Sequence, residues 1–151
     1  MPEPTYRQAT EKDAEAIAAV GEQIWDELAE GSGLPARLTA EGVRERLASY
    51  GARGGMFVCE SDGGLCGFAA LEPDSQDAEG AVMGVWLLPS ARRQGVGREL
   101  ALMATDFARA AGYRKLRGTL PAGNEPALSF FSDIGSLAQM VGQGMQYELP
   151  L

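Results

Sequence analysis

An uninterrupted apolar run over residues 81–88, "AVMGVWLL", constrains the fold more than any other feature of this sequence. A strand with one solvent-facing side alternates polar and apolar residues, so this run predicts a strand covered on both faces in the middle of a sheet. Pro89 stops the strand, and a turn with Gly95 and Gly97 then leads into a segment with apolar residues at helical spacing from Val96 to Phe107. Strand, glycine-rich turn and helix in this order predict a crossover connection that leaves the centre of the sheet.

The rest of the chain divides into short alternating elements. Thr10 and Thr39 each precede a segment with helical apolar spacing, which predicts two capped helices before the central strand. Asp62 and Gly63 separate two apolar runs and favour a hairpin turn, because both residue types tolerate a positive φ. A helix over residues 124–135 and one or two terminal strands are predicted after the crossover.

These elements predict a single three-layer domain over residues 1–151, between the α+β and α/β classes. Its centre is expected to be a mixed, mostly antiparallel sheet of six to seven strands with helices on both faces. A chain of 151 residues buries one sizeable core but has no room for a second independent domain.

Composition excludes several classes of function. A net charge of −8 argues against nucleic acid or an anionic membrane as the main partner, since both attract clustered Lys and Arg. No apolar run approaches the roughly 20 residues of a membrane span, and the start lacks a signal-peptide pattern, so we expect a cytoplasmic protein. The absence of histidine excludes histidine bases, Ser-His-Asp triads and histidine-ligated metals, and we expect no metal. Cys59 and Cys66 are expected to be reduced core thiols.

The glycine-rich turn before the crossover helix has the features of a phosphate site. A helix N-terminus presents unpaired N–H groups, Gly95 and Gly97 leave those groups accessible, and three arginines add charge at Arg92, Arg93 and Arg98. The lysine and hydroxyl residue of a Walker loop are missing, as is the third glycine of the dinucleotide fingerprint. The alternative to a phosphate site is a solvated helix cap.

The segment "ARRQGVG" resembles the Arg/Gln-x-x-Gly-x-Gly/Ala motif with which GNAT-type N-acetyltransferases hold the pyrophosphate of coenzyme A. The resemblance extends to "YRQATEKDAEAI", which is similar to the first strand and helix of that family. It also includes "NEPALSFF", which is similar to the family's Asn-x-x-Ala-x-x-Phe-Tyr helix. The chain is therefore identified as a member of this family by the order of its motifs.

That resemblance implies acetyl-CoA as donor, with its pantetheine arm in a gap between the fourth and fifth strands. It implies that an N–H of Leu87 or Leu88 polarises the thioester carbonyl for direct attack by an amine in a ternary complex. The coenzyme-binding residues that it implies are Leu87, Leu88, Arg92, Arg93, Gln94, Gly95, Val96, Gly97, Arg98, Asn124 and Phe131.

The resemblance leaves the proton-transfer groups open. Phe131 stands where many relatives carry a tyrosine that protonates the leaving thiolate, and phenylalanine has no proton to give. Glu79 is the candidate base nearest in sequence to the family's usual position, although a solvated loop acid is the competing interpretation. Glu22 and Asp26 on the first helix are the alternatives. Both cysteines are expected away from the coenzyme strand, which argues against an acyl-enzyme.

The acceptor site is expected beside the first helix, where Trp25, Asp26 and Glu30 offer an aromatic face and carboxylates to an ammonium group. The leading hypothesis is acetyl transfer to a primary amine of a small molecule. A non-catalytic acyl-CoA-binding module and an acetyltransferase acting on protein N-termini or lysines are the alternatives. The resemblance also allows a homodimer, and the sequence does not identify the acceptor or the acyl chain length.

Overall fold

The computed structural model describes residues 4–28, 37–91, 95–120, 137–141 and 144–151. The strands within them are β1 (Thr5–Gln8), β2 (Gly55–Ser61), β3 (Gly64–Pro73), β4 (Gly80–Leu87), β5 (Lys115–Leu120), β6 (Leu137–Val141) and β7 (Gly144–Pro150). The helices are α1 (Ala14–Leu28), α2 (Ala40–Tyr50) and α3 (Val96–Ala110), with short 3₁₀ turns at Glu11–Asp13 and Pro89–Ala91.

The strands lie in one mixed sheet in the order β1-β2-β3-β4-β5-β7-β6. Every neighbouring pair is antiparallel except β4 and β5, which run parallel. Helix α3 connects these two parallel strands, as the sequence predicted for a crossover. The mixed α+β architecture with a mostly antiparallel sheet is therefore confirmed.

Local sequence signals explain where the elements begin and turn. Thr10 forms a capping box at the start of the first helical segment, and the Thr39 hydroxyl accepts a hydrogen bond from the Gly42 amide at 3.0 Å. Asp62 and Gly63 have φ values of 54° and 82°, so they form the two-residue hairpin turn between β2 and β3.

Each face of the sheet carries its own apolar cluster, because successive strand side chains point to opposite sides. On one face, strand residues such as Phe57 and Leu71 form a cluster with Leu100 of α3. On the other, residues such as Val58 and Phe68 pack beneath α1 and α2. Both faces are covered by helices, as predicted.

The central strand is less covered than its apolar sequence indicated. Gly80, Ala81 and Met83 are buried, whereas residues 84–88 are only half-buried. The later residues of β4 are more exposed because β5 pairs only with the first part of the strand.

The predicted helix over residues 124–135, with Asn124 and Phe131, lies outside the described residues. Among the helices that the structure describes, none has the length and apolar character needed to cross a bilayer.

Candidate active site

Strands β4 and β5 pair over a short stretch and then separate. Their register runs from Gly80 opposite Lys115 to Val82 opposite Arg117. Strand β4 continues to Leu87, which places its end roughly 16 Å beyond the last pair at about 3.3 Å per residue. The described parts of β4 and β5 therefore stop pairing after Val82 and Arg117, which is consistent with a gap between the two strands.

Hydrogen bonds at both ends of β4 define which backbone groups face this gap. The Leu88 N–H donates to the Cys66 carbonyl at 2.9 Å, and the Asp74 N–H donates to the Gly80 carbonyl at 3.0 Å. Even-numbered residues of β4 therefore turn their backbone groups toward β3, since these groups alternate along an antiparallel strand. By the same alternation, the backbone groups of Val85 and Leu87 face the β5 side.

This geometry corrects one part of the coenzyme prediction. Leu88 donates its N–H to β3, and its carbonyl accepts the Ala91 N–H at 2.9 Å in the following turn. Both backbone groups of Leu88 are thus engaged away from the gap, and the prediction of a Leu88 oxyanion donor is wrong. Of the two residues, Leu87 is the one whose N–H points toward the gap between β4 and β5.

The N-terminus of α3 carries N–H groups without intrahelical acceptors. Gly95 caps the helix in the left-handed conformation, with φ 82°, and as a glycine it has no side chain that could form a capping hydrogen bond. The Glu99 N–H donates to the Gly95 carbonyl at 3.1 Å, so the N–H groups of Val96, Gly97 and Arg98 precede the first helical bond. This end of the helix bears the positive end of its dipole, and it is suited to an anion.

The two glycines of the turn differ in their surroundings. A Cβ at Gly95 would meet no atom within 4 Å, so this position opens onto free space. A Cβ at Gly97 would lie 3.3 Å from Leu87 Cδ1 and 3.9 Å from Val85 Cγ1. The first turn of α3 therefore rests directly on the terminal part of β4, and Gly97 permits that close packing. Arg92, Arg93 and Gln94 lie outside the described residues.

Glu79 lies at the wrong end of β4 to serve as the base. It precedes the first residue of the strand, so about eight residues and roughly 26 Å separate it from Leu87. Its side chain is 67% exposed, its N–H donates to Asp77 Oδ1, and its carbonyl accepts the Arg114 N–H. The prediction of Glu79 as the base for chemistry near Leu87 is wrong, and the solvated-loop interpretation holds.

Glu79→Gln is therefore expected to leave kcat and its pH dependence unchanged, within about twofold, because the carboxylate is far from the reacting centre. Steady-state thiol release measured from pH 6 to 9 checks this. A loss of the acidic limb of the pH profile in this variant, where activity rises as a general base loses its proton, would show that the carboxylate reaches the substrate by a route that the strand geometry excludes.

The predicted acceptor residues on α1 are partly occupied by other contacts. Arg37 Nη1 lies 2.7 Å from Asp26 Oδ1 and 3.7 Å from Glu22 Oε1, so one guanidinium balances both exposed carboxylates. Trp25 packs, half-buried, against the apolar cluster beneath α1. Glu30 lies outside the described residues.

Sequence reasoning missed Trp86, which lies one residue before Leu87 on the α1 side of β4. Its indole stacks on Phe68 with ring centroids 5.1 Å apart and lies across Gly84. A Cβ at Gly84 would come 2.2 Å from Trp86 Cη2, so only glycine permits this placement. The signal available in the sequence was a tryptophan two residues after a glycine in one strand, which puts both residues on the same face.

Sequence reasoning also missed the ion pair at the closed end of the gap. Asp74, whose side chain is only 2% exposed, accepts two hydrogen bonds from the Arg117 guanidinium, one of them at 2.8 Å. These hydrogen bonds hold the pKa of the Asp74 carboxyl down to about 2. Because Arg117 is the last β5 residue in register with β4, this pair fixes the point from which the strands diverge.

Several solved structures that share this fold are described as acetyltransferases. A ribosomal-protein-alanine N-acetyltransferase from Brucella melitensis superposes with a TM-score of 0.84 at 21% identity, over 97% of this chain and 99% of its own. An N-acetyltransferase from Staphylococcus aureus Mu50 gives 0.81 at 20% identity, over 99% of each chain. A phosphinothricin acetyltransferase from Sinorhizobium meliloti, in complex with acetyl-CoA, gives 0.82 at 16% identity, over 98% and 88%. At these identities the likeness concerns the fold.

Residues 20–135 match the acetyltransferase (GNAT) family. The match spans more than half of the chain, so this protein belongs to the GNAT family. No curated protein matches it in sequence.

Proposed function

We propose that the protein is an N-acetyltransferase that transfers an acetyl group from acetyl-CoA to a primary amine of a small molecule. Family membership supports acyl transfer in general. The observation that carries the proposal is the arrangement of two features at one end of β4: the divergence from β5 and the N-terminus of α3 resting on the same strand.

The residues present at this end fit the donor chemically. The N–H groups of residues 96–98 suit a pyrophosphate, and Arg98 on the exposed side of the helix adds charge. Backbone groups of Val85 and Leu87 suit the amides of a pantetheine arm lying along β4. Bound acetyl-CoA would supply an acyl group activated as a thioester.

Acetyl transfer from a thioester needs few catalytic groups from the protein. In this proposal the Leu87 N–H donates to the thioester oxygen, where negative charge develops as the amine attacks, and such donors contribute about 3 kcal/mol. The carbon–sulfur bond breaks and thiolate leaves, which a thiol pKa near ~8.5 permits without a strong acid. Because Glu79 is too distant, we propose that the amine transfers its proton to a water molecule that is hydrogen-bonded to Glu22 or Asp26 on α1.

The acceptor side of the site is assigned to the face that carries Trp86. The α3 side of β4 is taken by the donor in this proposal, so the amine approaches from the α1 side. There the half-buried indole supplies a flat surface that attracts an ammonium group or an apolar side chain.

Trp86→Ala is expected to raise the KM of the amine about tenfold and to leave the Kd of acetyl-CoA unchanged, because only the acceptor side loses its aromatic surface. Trp86→Phe, which keeps a flat ring, should recover most of the loss. Initial rates over a range of amine concentrations and calorimetric titration with acetyl-CoA measure the two effects. Equal amine KM values in the wild-type and alanine proteins would remove Trp86 from the acceptor site.

Two alternatives compete with this assignment. The first is transfer to a protein N-terminus or lysine. The Brucella neighbour is a ribosomal-protein-alanine N-acetyltransferase, whereas the Sinorhizobium neighbour is a phosphinothricin acetyltransferase, so the structural neighbours include both protein and small-molecule enzymes. An acyl-CoA-binding module without turnover is the other alternative, because residue 131 is phenylalanine where many relatives carry tyrosine.

Thiol release from acetyl-CoA across a panel of amines separates these possibilities. The panel includes aliphatic and aromatic amines, amino acids, polyamines and peptides beginning with alanine. Turnover on a small amine supports the proposal, turnover on peptides alone supports a protein acceptor, and tight acetyl-CoA binding without turnover supports a binding module.

We further propose a cytoplasmic location and a homodimer. Cell fractionation tests the location, and light scattering tests the oligomeric state.

A further inference from the structure

Two free cysteines lie in contact inside the hairpin. Cys59 on β2 and Cys66 on β3 are both free, and their Sγ atoms are 3.0 Å apart. A disulfide bond is ~2.05 Å long, so an approach of about 1 Å would join the two sulfurs.

A β-bulge brings the thiols together. The register pairs Cys59 with Gly67 and Glu60 with Leu65, which leaves Cys66 as the extra residue of β3. Regular alternation would place Cys66 on the α1 side of the sheet. The bulge instead turns Cys66 into the cluster beneath α3 that holds Cys59, while Leu65 packs against the cluster on the opposite face.

We propose that Cys59 and Cys66 form a modification site that hydrogen peroxide converts to an intramolecular disulfide. The Cys66 sulfur attacks one peroxide oxygen, the O–O bond breaks, and water leaves as a sulfenic acid forms. The Cys59 sulfur then displaces the sulfenic hydroxyl, which leaves as a second water when the S–S bond forms. The two thiols lose two hydrogens and two electrons in total, and one peroxide is reduced to two waters.

Burial assigns the roles of the two sulfurs. Cys66 is 9% exposed and lies three residues from the Gly63 turn, whereas Cys59 is fully buried. Burial, together with the hydrogen bond to Cys66, raises the pKa of the Cys59 thiol to about 12. Cys66 is therefore the residue that meets the oxidant, and Cys59 is the residue that resolves the sulfenic acid. A small uncharged oxidant is required, because a bulky disulfide has no access to this position.

The bulge is also attached to the end of β4, contrary to the expectation that both cysteines lie away from the coenzyme strand. The Cys66 carbonyl accepts the Leu88 N–H, and a Cβ at Gly67 would lie 2.6 Å from Leu87 Cδ2. Both thiols nevertheless point into the cluster beneath α3, so their position gives no support to an acyl-enzyme. A disulfide would fix the segment of β3 against which the last residues of β4 pack.

The test uses the wild-type protein in native buffer. After exposure to hydrogen peroxide and quenching, the protein is unfolded, its remaining thiols are alkylated, and its intact mass is measured. We expect a population of the protein in which neither cysteine is alkylated. Its mass should be lower by two hydrogens, and both thiols should return on reduction with dithiothreitol. Non-reducing electrophoresis should show a monomer.

Cys59→Ala and Cys66→Ala are the matched controls, since each keeps one thiol that has no partner. Neither variant should form a product that has lost two hydrogens, and Cys59→Ala should instead accumulate a sulfenic acid, heavier by one oxygen, that a dimedone probe labels. Two alkylated thiols in the peroxide-treated wild type, or irreversible oxygen adducts on either sulfur, would overturn the proposal. Because the readout is a mass, it is independent of acetyl transfer.

Discussion

Gly95→Ala is expected to weaken the binding of acetyl-CoA at least tenfold, an effect of about 1.4 kcal/mol or more. Gly95 holds φ 82°, a conformation that costs alanine roughly 1–2 kcal/mol, and it orients the N–H groups that begin α3. Calorimetric titration with acetyl-CoA measures the loss.

Gly112→Ala is the matched control for this substitution. Gly112 follows the other end of α3 with φ 92°, and a Cβ there also meets no atom within 4 Å. The two variants therefore carry similar backbone strain, but only Gly95 lies at the N-terminus of the helix. Equal acetyl-CoA affinities in the two variants would contradict a phosphate site at residues 95–98. Gly97 is a less useful target, because a larger residue there also displaces Leu87.

Asp74→Asn is expected to lower the free energy of unfolding by about 2 kcal/mol at pH 7, because Arg117 loses its buried carboxylate partner. The pKa of Asp74 falls from its ordinary value near ~3.9 to about 2 in the folded protein. A depressed carboxyl pKa stabilises the fold above the unfolded value, and this contribution is lost as pH falls through the folded value. Wild-type stability should therefore decrease between about pH 4 and 2, and the variant should lack that part of the decrease.

Asp77→Asn provides the control within the same loop. Asp77 pairs with Lys115, which lowers its carboxyl pKa, but it is more exposed than Asp74. Because solvent screens this exposed pair, Asp77→Asn should lower the free energy of unfolding by much less than Asp74→Asn does. Urea unfolding of the three proteins at pH 7 and at pH 3 gives the comparison. If both variants lose the same small amount, the Asp74–Arg117 pair does not hold β4 and β5 together.

Much of the fold was predictable because it depends on local chemistry. The Thr10 and Thr39 caps, the Asp62-Gly63 turn and the crossover helix each follow from interactions within a few residues. The glycine-rich turn indicated an anion site at a helix N-terminus, and the structure shows α3 beginning there without a side-chain cap.

The proton-transfer and acceptor residues were less predictable, because proximity along the chain is a poor guide to proximity in a sheet. Glu79 adjoins β4 in sequence but lies at the end remote from Leu87. Asp74 lies in a loop rich in acidic residues, yet its side chain is buried and paired with Arg117, 43 residues away. Trp86 was read only as part of an apolar strand, whereas its half-buried position depends on the divergence of β5.

The sequence by itself determined the family and the order of the helices and strands that the structure describes, because apolar periodicity, caps and a glycine-rich turn act over short distances. Only the tertiary structure decided which end of β4 meets α3, which of Leu87 and Leu88 faces the gap, and that a bulge brings Cys59 to Cys66. Those outcomes depend on the pairing register between strands. A shift of one residue in that register reverses the direction of every backbone and side-chain group.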